Sequence, residues 1–222
     1  EHRSPQDDVR ESYNRTSADP LTKLHALTIT ASEFQTHDYY MNIGPQFADP
    51  VARQLYAEIA SIEEQHVTQY GSLIDPQESV LEQWLMHEAM EVYNYYSCAQ
   101  QETNLRIKAI WERFLDYELG HFHHVAELFK QLERRDPAEL FPGDLPEPIP
   151  FMSQRDFVRQ VLAQEVNLRA KGTQFVDVSE ESAAAIDYRT YINSAGSPSE
   201  TVAAGYGWTP GTELNRKIAI AA

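Results

Sequence analysis

The sequence predicts an all-α chain: a four-helix bundle followed by a fifth helix and an irregular C-terminal tail. Three observations lead there. Asp-Pro pairs at 19–20, 49–50 and 75–76 each open a long stretch without proline. Apolar side chains recur along these stretches in steps of three and four, the spacing of one helix face. The breaks between them are short and polar, as between antiparallel helices of a bundle. On this reading residues 1–135 form the bundle with an N-terminal lead, and residues 136–222 form a Pro-rich linker, an additional helix and an extended tail.

Each element follows from local chemistry. Asp is a good helix cap and Pro is tolerated in the first turn, so Asp19-Pro20 opens a helix over 20–43, which Gly44-Pro45 ends. Asp49-Pro50 opens a second over 50–70, ended by Gly71. Asp75, with Glu78 three residues later in the manner of a capping box, opens a third over 76–101. The polar break Glu102-Thr103-Asn104 precedes a fourth over about 105–134. The segment DPAELFPGDLPEPIP (136–150) holds five prolines and cannot be a long helix; it reads as a linker or a strap over the bundle. A fifth helix is expected over 153–170. Residues 173–222, rich in Ser, Thr, Ala and Gly, read as a loosely structured tail, an arm able to dock on a neighbour.

Acidic residues number 34 against 18 basic ones, a formal net charge of -16. That balance argues against DNA or RNA, which demand positive faces, and against anionic membrane surfaces. No apolar run approaches the ~18 residues of a membrane helix. No basic start followed by an apolar stretch marks a signal peptide. The chain opens on Glu1 without Met, which reads as trimming, processing or a partial span. One cysteine, Cys98, rules out an internal disulfide framework, a CxxC pair and a four-thiolate metal site, and a reducing cytoplasm is the expected compartment.

The inward stripes carry the chemistry. They run Ala26, Ile29, Glu33, Thr36, Tyr40, Ile43 on the first helix and Tyr56, Ile59, Glu63, His66, Tyr70 on the second. On the third they run Leu81, Trp84, Glu88, Glu91, Tyr95, Cys98, and on the fourth Ile107, Trp111, Phe114, Glu118, His121, Val125, Leu128. Each is apolar or aromatic except at its middle, where a carboxylate stands. Clustered buried carboxylates repel one another unless they protonate, pair with cations or bind a metal. No Lys or Arg falls on these stripes near them, so a metal is the economical reading.

Spacing supports it. Glu63 follows Glu33 by thirty residues, as Glu118 follows Glu88, and His66 and His121 each come three residues after the second glutamate. Tyr40 and Tyr95 each stand seven residues after the first. The two halves repeat one pattern, with the signature of an internal duplication. The midpoints of the two glutamate pairs fall in the loops near 48 and 103, so each pair lies level across its hairpin. Glu-x-x-His places a carboxylate and an imidazole on one helix face, able to share a metal centre.

At these residues the chain resembles the ferritin-like di-iron carboxylate superfamily and, within it, rubrerythrin. The matching stretches are EFQTHDYY (33–40), FADPVARQLYAEIASIEEQH (47–66), HEAMEVYNYY (87–96) and IWERFLDYELGH (110–121). The resemblance covers about residues 20–134 and implies a ferritin-like bundle holding two Fe ions, with Fe/Mn or Mn as variants. The ligands it implies are Glu33, Glu63, His66, Glu88, Glu91, Glu118 and His121. Glu63 and Glu118 would bridge, and Glu33, Glu88 and Glu91 would be terminal. Tyr40 and Tyr95 would stand behind the ligands as hydrogen-bond donors or local reductants. The rubredoxin domain usual in rubrerythrins is missing, so electrons would come from a separate donor protein. The short connection between Glu63 and Glu88 leaves two readings, a plain up-down-up-down bundle or a homodimer with swapped hairpins.

Reduction of hydrogen peroxide or activation of oxygen, in oxidative-stress defence, is the activity the resemblance implies. A ferritin-type ferroxidase that stores iron and a di-iron oxygenase acting on an organic substrate are the alternatives, and a metal-free structural bundle is the fourth. Plainer roles are expected elsewhere. His123 and His124 read as solvated, and His37 and His87 as polar neighbours of Glu33 and Glu88, with His37 also an alternate ligand. Cys98 reads as a buried core thiol, and Trp84 and Trp111 as core packing.

Overall fold

The structure, a computed structural model, describes residues 9–141, 147–165, 168–171 and 174–205. It is mostly helical. Four long helices come first: α1 (Pro20–Ile43), α2 (Pro50–Gly71), α3 (Val80–Gln101) and α4 (Leu105–Glu133). The remainder is α5 (Arg155–Glu165), the strands β1 (Leu168–Lys171) and β2 (Gln174–Asp177), α6 (Ala183–Ile192) and α7 (Pro198–Ala204). No helix among the described residues is long and apolar enough to cross a membrane.

The chain divides into two compact units. One comprises residues 9–34 and 66–152; the other comprises 1–8, 35–65 and 153–222. Helices α1 and α2 run through both. In the first unit the core is built by Leu24 and Leu27 of α1, Leu85, Met86 and Met90 of α3, Val125, Ala126 and Phe129 of α4, and Leu140 just beyond. The periodicity explains the choice: 86 and 90, and 125 and 129, are each one helical turn apart on a single face. Phe129 is fully buried, and truncating such a ring costs about 3–5 kcal/mol.

An N-terminal arm is bound to the α2–α3 connection of this unit. Tyr13 N–H donates to the Leu73 carbonyl at 2.9 Å, and Arg15 N–H donates to Asp75 Oδ2 at 2.7 Å. Asp75 also accepts from Gln77 N–H at 2.8 Å, a turn rather than a helix cap. Helix α3 therefore starts at Val80, four residues later than the expected 76. Its cap is Ser79, paired reciprocally with Glu82 in a true capping box. Glu78, expected in that role, is instead buried against Tyr13 and Lys23.

In the second unit, Gly44 closes the α1–α2 turn. A Cβ there would sit 2.8 Å from Tyr56 Cβ, so only glycine fits. Strands β1 and β2 pair antiparallel, with Leu168 opposite Asp177 and Lys171 opposite Gln174. The buried Glu181 carboxylate is held by Arg189, and Ser199 docks on Glu58 at 2.8 Å through its N–H. Two expectations are corrected here. The fifth helix is shorter than 153–170, because the chain after Glu165 turns to strand. The stretch read as a loose tail, 173–222, carries the second strand of the hairpin and two short helices across its described part. The outermost lead and tail, 1–8 and 206–222, lie outside the described residues.

The inward stripes are only partly covered. Ile29, Trp84, Ile107 and Phe114 are all exposed, against expectation. On α4 the reason is plain: its first half is held mainly against α3, and one neighbour covers one side of a helix only. Cys98, expected in the core, is exposed too: Ser97 and Ala99 beside it are buried, so α3 is still packed there and Cys98 falls on its uncovered side.

Candidate metal centre

The strongest cluster of metal-ligating groups lies between α3 and α4. Glu88, Glu118 and His121 each offer one ligand atom, all within 4.8 Å of one another. Helix geometry builds it. Glu118 and His121 are three residues apart, hence on one face of α4, and Glu88 meets them from α3. His121 Nδ1 lies 2.9 Å from Glu118 Oε2 and 3.8 Å from Glu88 Oε2. One ring nitrogen thus faces both carboxylates, where a cation shared by the three would sit.

Burial separates these groups. Glu88 is 8% exposed, whereas His121 stands open to solvent. The hydrogen bond from Glu118 is the main cause that raises the His121 pKa. Slight desolvation opposes it, and the charges of Glu118 and Glu88 add to it. Glu91, the further glutamate on α3, is not among the three converging groups. Burial pushes its carboxyl upward, His87 opposes, and the negative charges of Glu118 and Glu88 push it further. Among the described residues, no Lys or Arg pairs with Glu88, Glu91 or Glu118.

On the first two helices, Glu33 and His66 of the first unit face each other. His66 Nδ1 lies 3.3 Å from Glu33 Oε2, so this imidazole engages a carboxylate of the neighbouring helix, where His121 engages its own. Glu63 is one turn before His66 on α2.

Both expected tyrosines stand beside their groups. Tyr95 is raised in pKa first by burial, then by the charges of Glu91 and Glu118. Its ring packs on Trp111 and Phe114, with centroids 6.0 and 5.6 Å away. Tyr40 is raised by burial, then by Glu63, and packs edge-on against Tyr39 and Tyr56. His37 pairs with its neighbour Asp38 at 3.2 Å, and His123 and His124 are exposed.

Sequence reasoning missed one residue of this centre. Trp84, read as core packing, is exposed, and its indole Nε1–H donates to Glu88 Oε1 at 2.7 Å. It leaves the other oxygen, Oε2, facing His121. The signal was present: Trp84 is four residues before Glu88 on the same stripe, and an indole N–H seeks an acceptor.

Donor chemistry decides which cation suits the centre. Carboxylate oxygens with one imidazole per group favour Fe or Mn over softer metals. Comparison with family models, with characterised proteins and with solved structures yields no match.

Proposed function

We propose that this chain is a rubrerythrin-like oxidoreductase with a ferritin-like bundle and a carboxylate-bridged pair of Fe ions, or an Fe/Mn or Mn pair, that reduces hydrogen peroxide. The observation that carries the reading is the convergence of Glu88, Glu118 and His121, with no Lys or Arg paired to the two carboxylates among the described residues. Glu33, Glu63, His66, Glu88, Glu91, Glu118 and His121 would be the ligands, with Glu63 and Glu118 shared between the two metals. Such a metal pair would supply the two electrons that peroxide reduction takes up.

The chain's own residues fix the geometry. Trp84 orients Glu88 through its indole N–H, as partners behind a ligand set its basicity and direction. Tyr95 and Tyr40 place phenols beside the ligands. Peroxide reduction consumes two electrons and two protons per peroxide and yields two waters, so a separate electron-donor protein is required. The exposed apolar side chains of Ile107, Ile110 and Phe114 on α4 support a homodimer in which a second copy covers this stripe.

The test is metal analysis of protein purified without chelator, with anomalous scattering at the Fe and Mn edges. Two metals per chain are expected, and reduced iron-loaded protein is expected to be reoxidised faster by hydrogen peroxide than by oxygen. A chain that takes up neither metal, and whose Glu118→Ala variant differs only in stability, would overturn the reading.

A further inference from the structure

A concave site lies in the same unit as Glu88, Glu118 and His121 and is lined by none of the three. A cavity of about 580 Å³ opens between α1, α3, α4 and the segment after α4. Leu24, Met90 and Phe122 form apolar walls from the three helices, and Phe141 and Ile149 close it from the strap. The strap is anchored there, since Tyr93 donates its phenol proton to the Glu147 carbonyl at 2.5 Å. Such a volume, with apolar walls and a few polar groups, is that of a small-molecule site.

The lining is unusual for so acidic a chain. Among the described residues that line it there is no Asp, Glu, Lys or Arg. The titratable groups at its edge are two imidazoles, His25 from α1 and His123 from α4, both exposed to solvent. An imidazole N–H donates to a carboxylate, and the cavity's own lining offers it none.

We propose that this cavity binds a free single-chain fatty acid, its hydrocarbon chain between the three helices and its carboxylate at His25 and His123. The site does not depend on a metal, so it stands apart from the function proposed above. Specificity follows from the division of labour. Each methylene withdrawn from the walls weakens binding, so shortening the chain by two carbons costs about tenfold in affinity. The imidazoles select the acid over an uncharged molecule of equal length.

The experiment is calorimetric titration of the full chain with sodium dodecanoate below its micellar range. One saturable site per chain is expected, with decanoate about tenfold weaker. Leu119→Trp and Val92→Trp each place an indole at the cavity wall. Both are expected to weaken dodecanoate at least tenfold while the far-ultraviolet dichroism and melting temperature hold. Dodecanol is expected to bind more weakly than dodecanoate, and the double variant His25→Gln, His123→Gln to erase that difference. No saturable binding, affinity unchanged in both Trp variants, or attachment to phospholipid vesicles without binding of the free acid would each overturn the proposal. Glu118→Ala separates the two ideas, because it removes a metal ligand and leaves dodecanoate binding intact.

Discussion

Glu82 and Glu88 lie six residues apart on α3, and both are buried, at 4% and 8% exposure. Around Glu82 the chain gathers cations. Arg135 Nη1 lies 2.5 Å from one carboxylate oxygen and Arg15 Nη1 3.2 Å from the other, while Ser79 N–H donates at 2.8 Å. Around Glu88 it gathers an indole N–H, an imidazole and a second carboxylate, Glu118. A buried charge must be neutralised or it destabilises the fold. The structural site brings its own neutralisation; the other leaves room for one from outside. Within one helix, this contrast distinguishes a carboxylate held by guanidinium groups from the one proposed to hold a metal more sharply than burial does.

The contrast can be broken from either side. Arg135→Met leaves Glu82 buried with half its partners, and breaking such a pair costs about 3–5 kcal/mol; urea unfolding should show a loss of that order, with metal content per folded chain unchanged. Glu118→Gln should do the reverse. Metal affinity falls by about 100-fold or more, beyond the usual effect of losing a residue behind a ligand. The metal-free chain unfolds at the same urea concentration or a higher one, because a like charge beside Glu88 and Glu91 is gone. A Glu118→Gln chain that keeps its metal would collapse the distinction.

Smaller changes sharpen it. Trp84→Phe removes the donor to Glu88 and keeps the ring, so metal affinity should fall about tenfold by equilibrium dialysis. A pH series tests Glu82 alone. Burial works against its charge, yet the Arg135 hydrogen bond, the Ser79 N–H and the charges of Arg135 and Arg15 hold its carboxyl below the ordinary value. Its folded pKa is therefore depressed. The stability it adds is complete above the unfolded value of 4.5 and is lost as pH falls through the folded one. Glu82→Gln should flatten the acid limb of the stability profile and leave the rest of its shape in place. Least of all, Cys98→Ser should change stability by less than about 0.5 kcal/mol, as expected of an exposed side chain outside both clusters.

Much of the centre was legible beforehand. Glu118 and His121 are placed together by a three-residue helical step, which sequence spacing states outright. Glu88 meets them because two helices joined by a short break pack side by side, with Glu88 and Glu118 equidistant from it. The role of Trp84 was hidden by a default, since a tryptophan on a seam is usually packing and its N–H partner is settled by geometry. The start of α3 was misplaced because Asp75-Pro76 and Ser79 are both plausible caps. The N-terminal arm decided between them by occupying Asp75. The exposure of Cys98 was illegible because periodicity says which face a residue shares, not which side a neighbour covers.

By itself, the sequence determined the extent of three of the four long helices and the common level of Glu88 and Glu118, because both follow from the 3.6-residue turn and from caps and breakers acting locally. Only the tertiary structure decided which buried carboxylates meet a guanidinium. Arg15 and Arg135 reach Glu82 from 67 and 53 residues away. No local pattern encodes such a meeting, since it depends on where a docked arm and the end of α4 come to rest in space.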